Sequence, residues 1–138
     1  MATTLNAYIA FKDAARAALT FYHSVLGGEL TVSTFGEAQF SDNPADADLL
    51  LHGQLNTAKG YTIMASDTPS SMVYTPPAGI SLSISGDEAE LLTGYFNQLS
   101  EGGKIVEPLM KAPWGDTFGM FVDKFGIAWM VAIQSSAA

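Results

Sequence analysis

Two histidines, fourteen acids and no cysteine make up the catalytic inventory of this 138-residue chain. His52 falls in a segment whose alternation reads as a strand, with Gln54 two residues on. An imidazole changes protonation near neutral pH, so His52 is a candidate general base. The same ring could equally serve only as a hydrogen-bonding group, within the sheet or toward a ligand. His23 lies near the end of a helical stretch, where a cation suits the helix dipole, and reads as structural. Lacking cysteine, the chain has neither a thiolate nucleophile nor a disulfide, and no Gly-x-Ser-x-Gly elbow is present. Glycine pairs at 27–28 and 102–103 follow helical stretches instead of preceding them, so no phosphate-cradling loop or dinucleotide fingerprint occurs. Asp42, Asp46 and Asp48 lack the spaced glycine and terminal glutamate of a calcium loop and read as solvated acids. Glu37, in the same loop, reads as another solvated acid, with a carboxylate swinging over a site as the alternative.

The elements that must position these residues are marked by hydrophobic period. Residues 5–11 alternate as a strand, and Asp13 is the expected N-cap of a helix from Ala14 that the Gly27-Gly28 pair ends. Strands are expected at 29–35, 49–56 and 61–66, around a turn-rich loop at 36–48 that reads as mobile. Period two puts Leu50, His52 and Gln54 on one face of the third strand, and Leu49, Leu51 and Leu55 on the helix-covered face. Residues 67–79 hold three of the six prolines and form the linker. Beyond it, Ile80, Leu82 and Ile84 alternate with Ser81, Ser83 and Ser85 as a strand. Asp87 and Glu90 are spaced as a capping box for a second helix that Gly102-Gly103 ends, and strands follow at 104–110, 117–123 and 127–133.

The chain therefore repeats itself. Ile9 and Ile84, Phe21 and Phe96, Gly27 and Gly102, and Gly28 and Gly103 share an offset of 75. Residues 53–64 align with 119–130 at an offset of 66, pairing Gly53 with Gly119, Gly60 with Gly126 and Met64 with Met130. Each half reads β-α-β-β-β. The fold class is α+β: tandem modules at about 5–67 and 80–134, joined by a linker at 68–79, in a single domain. Helices would cover one face of each sheet, and the uncovered faces would confront each other across a cleft between curved sheets.

Composition narrows the partners. A net charge of −8 with six scattered cations disfavours nucleic acid, which needs clustered Lys and Arg. No apolar run approaches the ~18 residues of a membrane span, and no signal peptide is evident, so a cytoplasmic location is expected.

The duplicated element order resembles the vicinal oxygen chelate superfamily, which includes glyoxalase I, extradiol dioxygenases and the bleomycin- and fosfomycin-resistance proteins. More closely the chain resembles its PhnB-like branch. The resembling residues are Phe21-Tyr22, Leu26-Gly27-Gly28-Glu29-Leu30, Thr34-Phe35-Gly36-Glu37, His52-Gly53-Gln54-Leu55 and Ile63-Met64-Ala65-Ser66-Asp67. They continue through Leu99 to Lys104, Pro108-Leu109, Trp114-Gly115 and Phe118 to Val131. Metal-dependent members hold a divalent ion through His, Glu or Gln on the first and last strands of each half. The resemblance carries those positions onto Tyr8, Met64, Ser83 (or Ser81, two residues away) and Met130. Phenol, thioethers and hydroxyl do not suit zinc, manganese or ferrous iron. No metal or other cofactor is therefore expected. No nucleotide-cofactor motif supports the methyltransferase label sometimes attached to PhnB-like sequences.

With Tyr8 facing the cleft, the expected lining is Tyr8, His52, Gln54, Met64, Ser83, Phe118, Met120 and Met130, with Trp114 as a lip. A Met- and aromatic-rich lining suits an apolar or aromatic small molecule, as in the antibiotic-sequestering relatives. Met64 and Met130 could equally be ordinary filling, and the serines a polar strand face. The expected function is metal-free small-molecule binding by a homodimer, the usual superfamily assembly. Two alternatives stand beside it: a lyase or isomerase using His52 as base or an atypical metal site, and a structural or regulatory dimer with a vestigial cleft.

Overall fold

The structure is a computed structural model describing residues 3–39 and 43–135. Asp42 lies outside the described residues. The chain divides into two compact units, Met1–Pro77 and Ala78–Ala138, and each contains one four-stranded sheet and one helix. Among the described residues no helix is long and apolar enough to cross a membrane.

Unit 1 runs β1 (Ala7–Phe11), α1 (Ala15–Leu26), β2 (Glu29–Thr34), β3 (Leu50–Asn56) and β4 (Thr62–Asp67), in the sheet order β1-β4-β3-β2. Unit 2 runs β5 (Leu82–Gly86), α2 (Ala89–Leu99), β6 (Lys104–Lys111), β7 (Thr117–Val122) and β8 (Ala128–Ile133), ordered β5-β8-β7-β6. In each sheet the first strand pairs parallel with the last, and the remaining pairs are antiparallel. The helix supplies the crossover that a parallel pair requires. The expected α+β class and duplicated module are what the structure shows.

Both offsets of the repeat survive as packing. A Cβ at Gly28 would collide with the backbone of Asn56 and Thr57, and one at Gly103 with the backbone of Val122 and Asp123. Gly28 and Gly103 are 75 apart, and their two contact sites are 66 apart. The helices obey a different offset. Buried Ala15, Ala18, Leu19 and Tyr22 of α1 correspond to buried Leu92, Tyr95, Phe96 and Leu99 of α2, which is 77. Gly53 abuts Leu19 and Gly119 abuts Phe96, in agreement. The expected equivalence of Phe21 with Phe96 is thus corrected. Phe21 is only half-buried, whereas Phe96 packs edge-on against Phe121, which stacks on Trp129.

Capping also departs from expectation. Asp13 does not cap α1; it adopts a left-handed φ of 59°, and the cap position is Ala14. The carboxylate comes from Asp67, at the end of β4. Its Oδ1 accepts from the Ala14 and Ala15 amides at 3.0 and 2.9 Å, and its Oδ2 accepts from Leu50 N at 3.0 Å. Nor does the Asp87–Glu90 box form, since α2 starts from Glu88 with no side-chain cap bond.

The loop after β2 is tied down through its described residues. Glu37 forms a reciprocal pair with Thr34, accepting from Thr34 N and donating its amide to Thr34 Oγ1. Asp46 is buried, not solvated, and accepts from both Ser70 N and Ser70 Oγ, joining the loop to the linker.

Candidate functional site

Helix-covered faces are identified by burial, so the remaining residues of each strand define an uncovered face. In unit 1, Ile9, Ile63, Ala65, Gly53 and Leu55 are buried beneath α1. Their neighbours form a row in register across four strands: Tyr8 beside Met64, Met64 beside Gln54, and Gln54 beside Thr31. In unit 2 the equivalent row is Ser83 beside Met130, Met130 beside Met120, and Met120 beside Glu107. Phe118 lies one row away, between Ala132 and Met110. Ser83, not Ser81, therefore occupies the position equivalent to Tyr8.

Three residues on these faces were not singled out from the sequence. Thr31 and Glu107 complete the two rows, and Met110 flanks Phe118. The repeat could have found Thr31, but its offset of 75 carries Thr31 to Val106. Register shifts on either side of Glu107 bring Glu107 opposite Met120 instead.

His52 keeps the expected alternation with Gln54, and the strand becomes irregular just before it. Leu50 is fully buried and approaches the helix side of Gly53, so its expected placement beside His52 and Gln54 is overturned. Leu50 and Gly53 face α1, leaving two residues between them where an unbroken alternation would allow one. The register of β2 and β3 slips at this point, pairing Ser33 with His52 but Thr34 with Leu50. Such a bulge re-aims side chains, and here it turns Leu50 toward the helix side while His52 stays beside Gln54 on the uncovered face.

The result is a polar cluster. Tyr8 Oη and His52 Nδ1 lie 3.2 Å apart, with ring centroids 5.6 Å apart and tilted by 40°. Gln54 Nε2 donates to Asn56 Oδ1 at 3.0 Å, and Thr62 Oγ1 donates to the same oxygen at 3.1 Å. Tyr8 is 54% exposed. Trp114 belongs to neither row; it sits in the β6–β7 turn and is 71% exposed. His23 stays structural, its Nε2 2.9 Å from the Gly28 carbonyl oxygen.

Donor chemistry tests the divalent ion that the resemblance implies. Each half brings two of the four positions into register: Tyr8 with Met64, and Ser83 with Met130. One pair offers a phenol and a thioether, the other a hydroxyl and a thioether. A borderline or hard divalent ion takes imidazole and carboxylate, so this set does not fit it. Among the described residues no three His, Cys, Asp or Glu side chains are grouped as ligands.

Known proteins share this fold. A family model described as the Glyoxalase/Bleomycin resistance protein/Dioxygenase superfamily matches residues 4–131. Protein YjdN of Escherichia coli strain K12 is 26% identical over 140 residues, spanning 94% of each chain. The crystal structure of protein PA1353 from Pseudomonas aeruginosa shares 36% identity at a TM-score of 0.84, covering 96% of this chain and 98% of that one. A PhnB protein from Bacillus cereus, 23% identical, has the same fold at a TM-score of 0.73, covering 96% of this chain and all of its own.

Proposed function

The chain belongs to the Glyoxalase/Bleomycin resistance protein/Dioxygenase superfamily, and from that membership we propose that it binds a compact, largely apolar or aromatic molecule without a resident metal ion. One observation carries the reading. The registers Tyr8–Met64 and Ser83–Met130 set a phenol and a hydroxyl each beside a thioether, and these are the residues onto which the resemblance carries the superfamily's ligand positions. Thioethers are polarizable and adapt to aromatic rings, so the substitution trades chelation for apolar contact. Met120, Phe118 and Trp114 extend that surface, while Tyr8, His52, Gln54 and Ser83 supply orienting polar groups. In this proposal the protein is a cytoplasmic homodimer.

A second reading has one observation in its favour. The 3.2 Å approach of Tyr8 Oη to His52 Nδ1 orients the imidazole as a general base would require. On that reading the protein is a lyase or isomerase.

A thermal-shift screen of the untagged protein against aromatic metabolites and aromatic antibiotics tests the binding reading. A true ligand raises the melting temperature by mass action, with the logarithm of its free concentration above Kd. The expected result is a concentration-dependent rise that Met120→Ala or Met64→Ala weakens. No response across the panel would favour a vestigial surface. Turnover of a hit that stops in His52→Ala would move the assignment to the enzyme reading.

A further inference from the structure

The duplication leaves one edge strand bare. In unit 1, α1 packs on edge strand β2 as well as on β3 and β4; in unit 2, α2 packs chiefly on β5 and β8, away from edge strand β6. Seven of the eight residues of β6 are exposed. Ile105 and Val106 are each 50% exposed, and Met110 is 62% exposed. Apolar side chains open together on an edge strand mark a surface for another chain.

The order of residues on β6 says which chain. Lys104 pairs with Val122, Ile105 with Phe121 and Glu107 with Met120, so Val106 is the extra residue of a bulge. Met120 belongs to the uncovered face and Val122, two residues on, shares it; Lys104 and Glu107 therefore do too. Between them, Ile105 and Val106 together oppose Phe121, whose ring packs against Phe96 of α2. The run 104–107 thus reads cation, apolar, apolar, anion. Reversed and laid beside itself, it sets each cation against an anion and each apolar residue against another, as an isologous contact requires.

We propose that β6 is the surface through which two copies of this chain associate, antiparallel about a two-fold axis between Ile105 and Val106. Lys104 then lies opposite Glu107 of the partner subunit, and Ile105 opposite Val106 of the partner subunit, each contact occurring twice. The proposal rests on the homodimer reading above and names its interface. Net charge favours this strand over the rest of the surface. At −8, two copies repel over most approaches, whereas β6 holds two of the six cations, Lys104 and Lys111, against one acid. Pro108 has no N–H to donate to a further strand, which confines the contact to the run before it. So short a contact gives a dimer that dissociates on dilution.

Sedimentation velocity of the full chain over a range of concentrations tests the interface. The wild type should show a reversible monomer–dimer equilibrium. Glu107→Lys sets like charges opposite each other twice and should weaken dimerisation about tenfold, although it brings the net charge closer to zero. Lys104→Glu should do the same. The double exchange K104E/E107K restores both pairs and should return the dimer to within about twofold of the wild type. An equimolar mixture of the two single variants should form heterodimers more tightly than either forms homodimers. Glu29→Lys, on the equivalent edge strand β2, changes the net charge as much as Glu107→Lys and should not weaken dimerisation. A wild-type dimer indifferent to Glu107→Lys, or one that the double exchange fails to restore, would overturn the proposal and leave the homodimer reading standing. A chain that stays monomeric at every concentration would end the homodimer reading itself, and the proposal with it.

Discussion

The two units share a backbone plan and differ in what they write on it. Unit 1 shows Tyr8, Met64, Gln54 and Thr31 on its uncovered face, a row rich in hydrogen-bonding groups. The same row in unit 2 is Ser83, Met130, Met120 and Glu107, with polarizable thioethers at its centre. Their buried carboxylates have also changed ends. Asp67 closes the last strand of unit 1, where unit 2 has Ile133. Asp123 organises the β7–β8 turn, accepting from Phe125 N, Ile127 N and Trp129 Nε1, where unit 1 uses Thr57 against Tyr61. Duplication preserved the glycine contacts that fix strand spacing and left side chains free to diverge.

The largest effects should come from exchanging the anchors. Asp67→Ala strands three backbone donors and should cost about 3–5 kcal/mol by urea denaturation, at about 1–3 kcal/mol for a buried unsatisfied group. Hydrogen exchange should then accelerate at Ala14, Ala15 and Leu50, while Asp123→Ala should act at Phe125 and Ile127. Acceleration at the same amides in both variants would erase the distinction between the units.

Next comes the helix contact. Gly119→Ala pushes against Phe96 and the Leu109 backbone and should cost about 1–3 kcal/mol. Gly53→Ala meets the tip of the Leu19 side chain, which can rotate away, and should cost less. Gly119→Ala being the milder of the two would contradict the close approach of Phe96 on α2 to Gly119.

Substitutions on the uncovered faces should move stability least. Met120→Ala should lower stability by under about 1 kcal/mol, because the residue is only half-buried, yet weaken aromatic ligands several-fold by isothermal titration. Tyr8→Phe should change stability by less than about 0.5 kcal/mol, as an exposed substitution does.

Much of this was legible in the residues. Alternation and the paired offsets located every strand to within two residues, because strand period and glycine stops are local signals. They also put Tyr8 level with Ser83 and Met64 level with Met130. What escaped has a tertiary cause. Asp67 caps a helix that begins 52 residues earlier in the chain, so no capping window contains it. Leu50 turned inward because a bulge interrupts the strand, and period-two reasoning assumes an unbroken ladder. The helices slid by two residues relative to the glycines because their apolar stripes, not their stops, set the packing. Glu107 was hidden for the same reason as Leu50: irregular register moved it into a row that its sequence offset did not indicate.

Metal content of untagged protein, measured by mass spectrometry after exposure to zinc, manganese, nickel and ferrous iron and then desalting, tests the central claim most directly. A donor set of phenol, thioethers and hydroxyl should retain well under about 0.1 equivalent of any of them. About one ion per chain, released by His52→Ala, would contradict the account and return the protein to the metal-dependent chemistry of its superfamily.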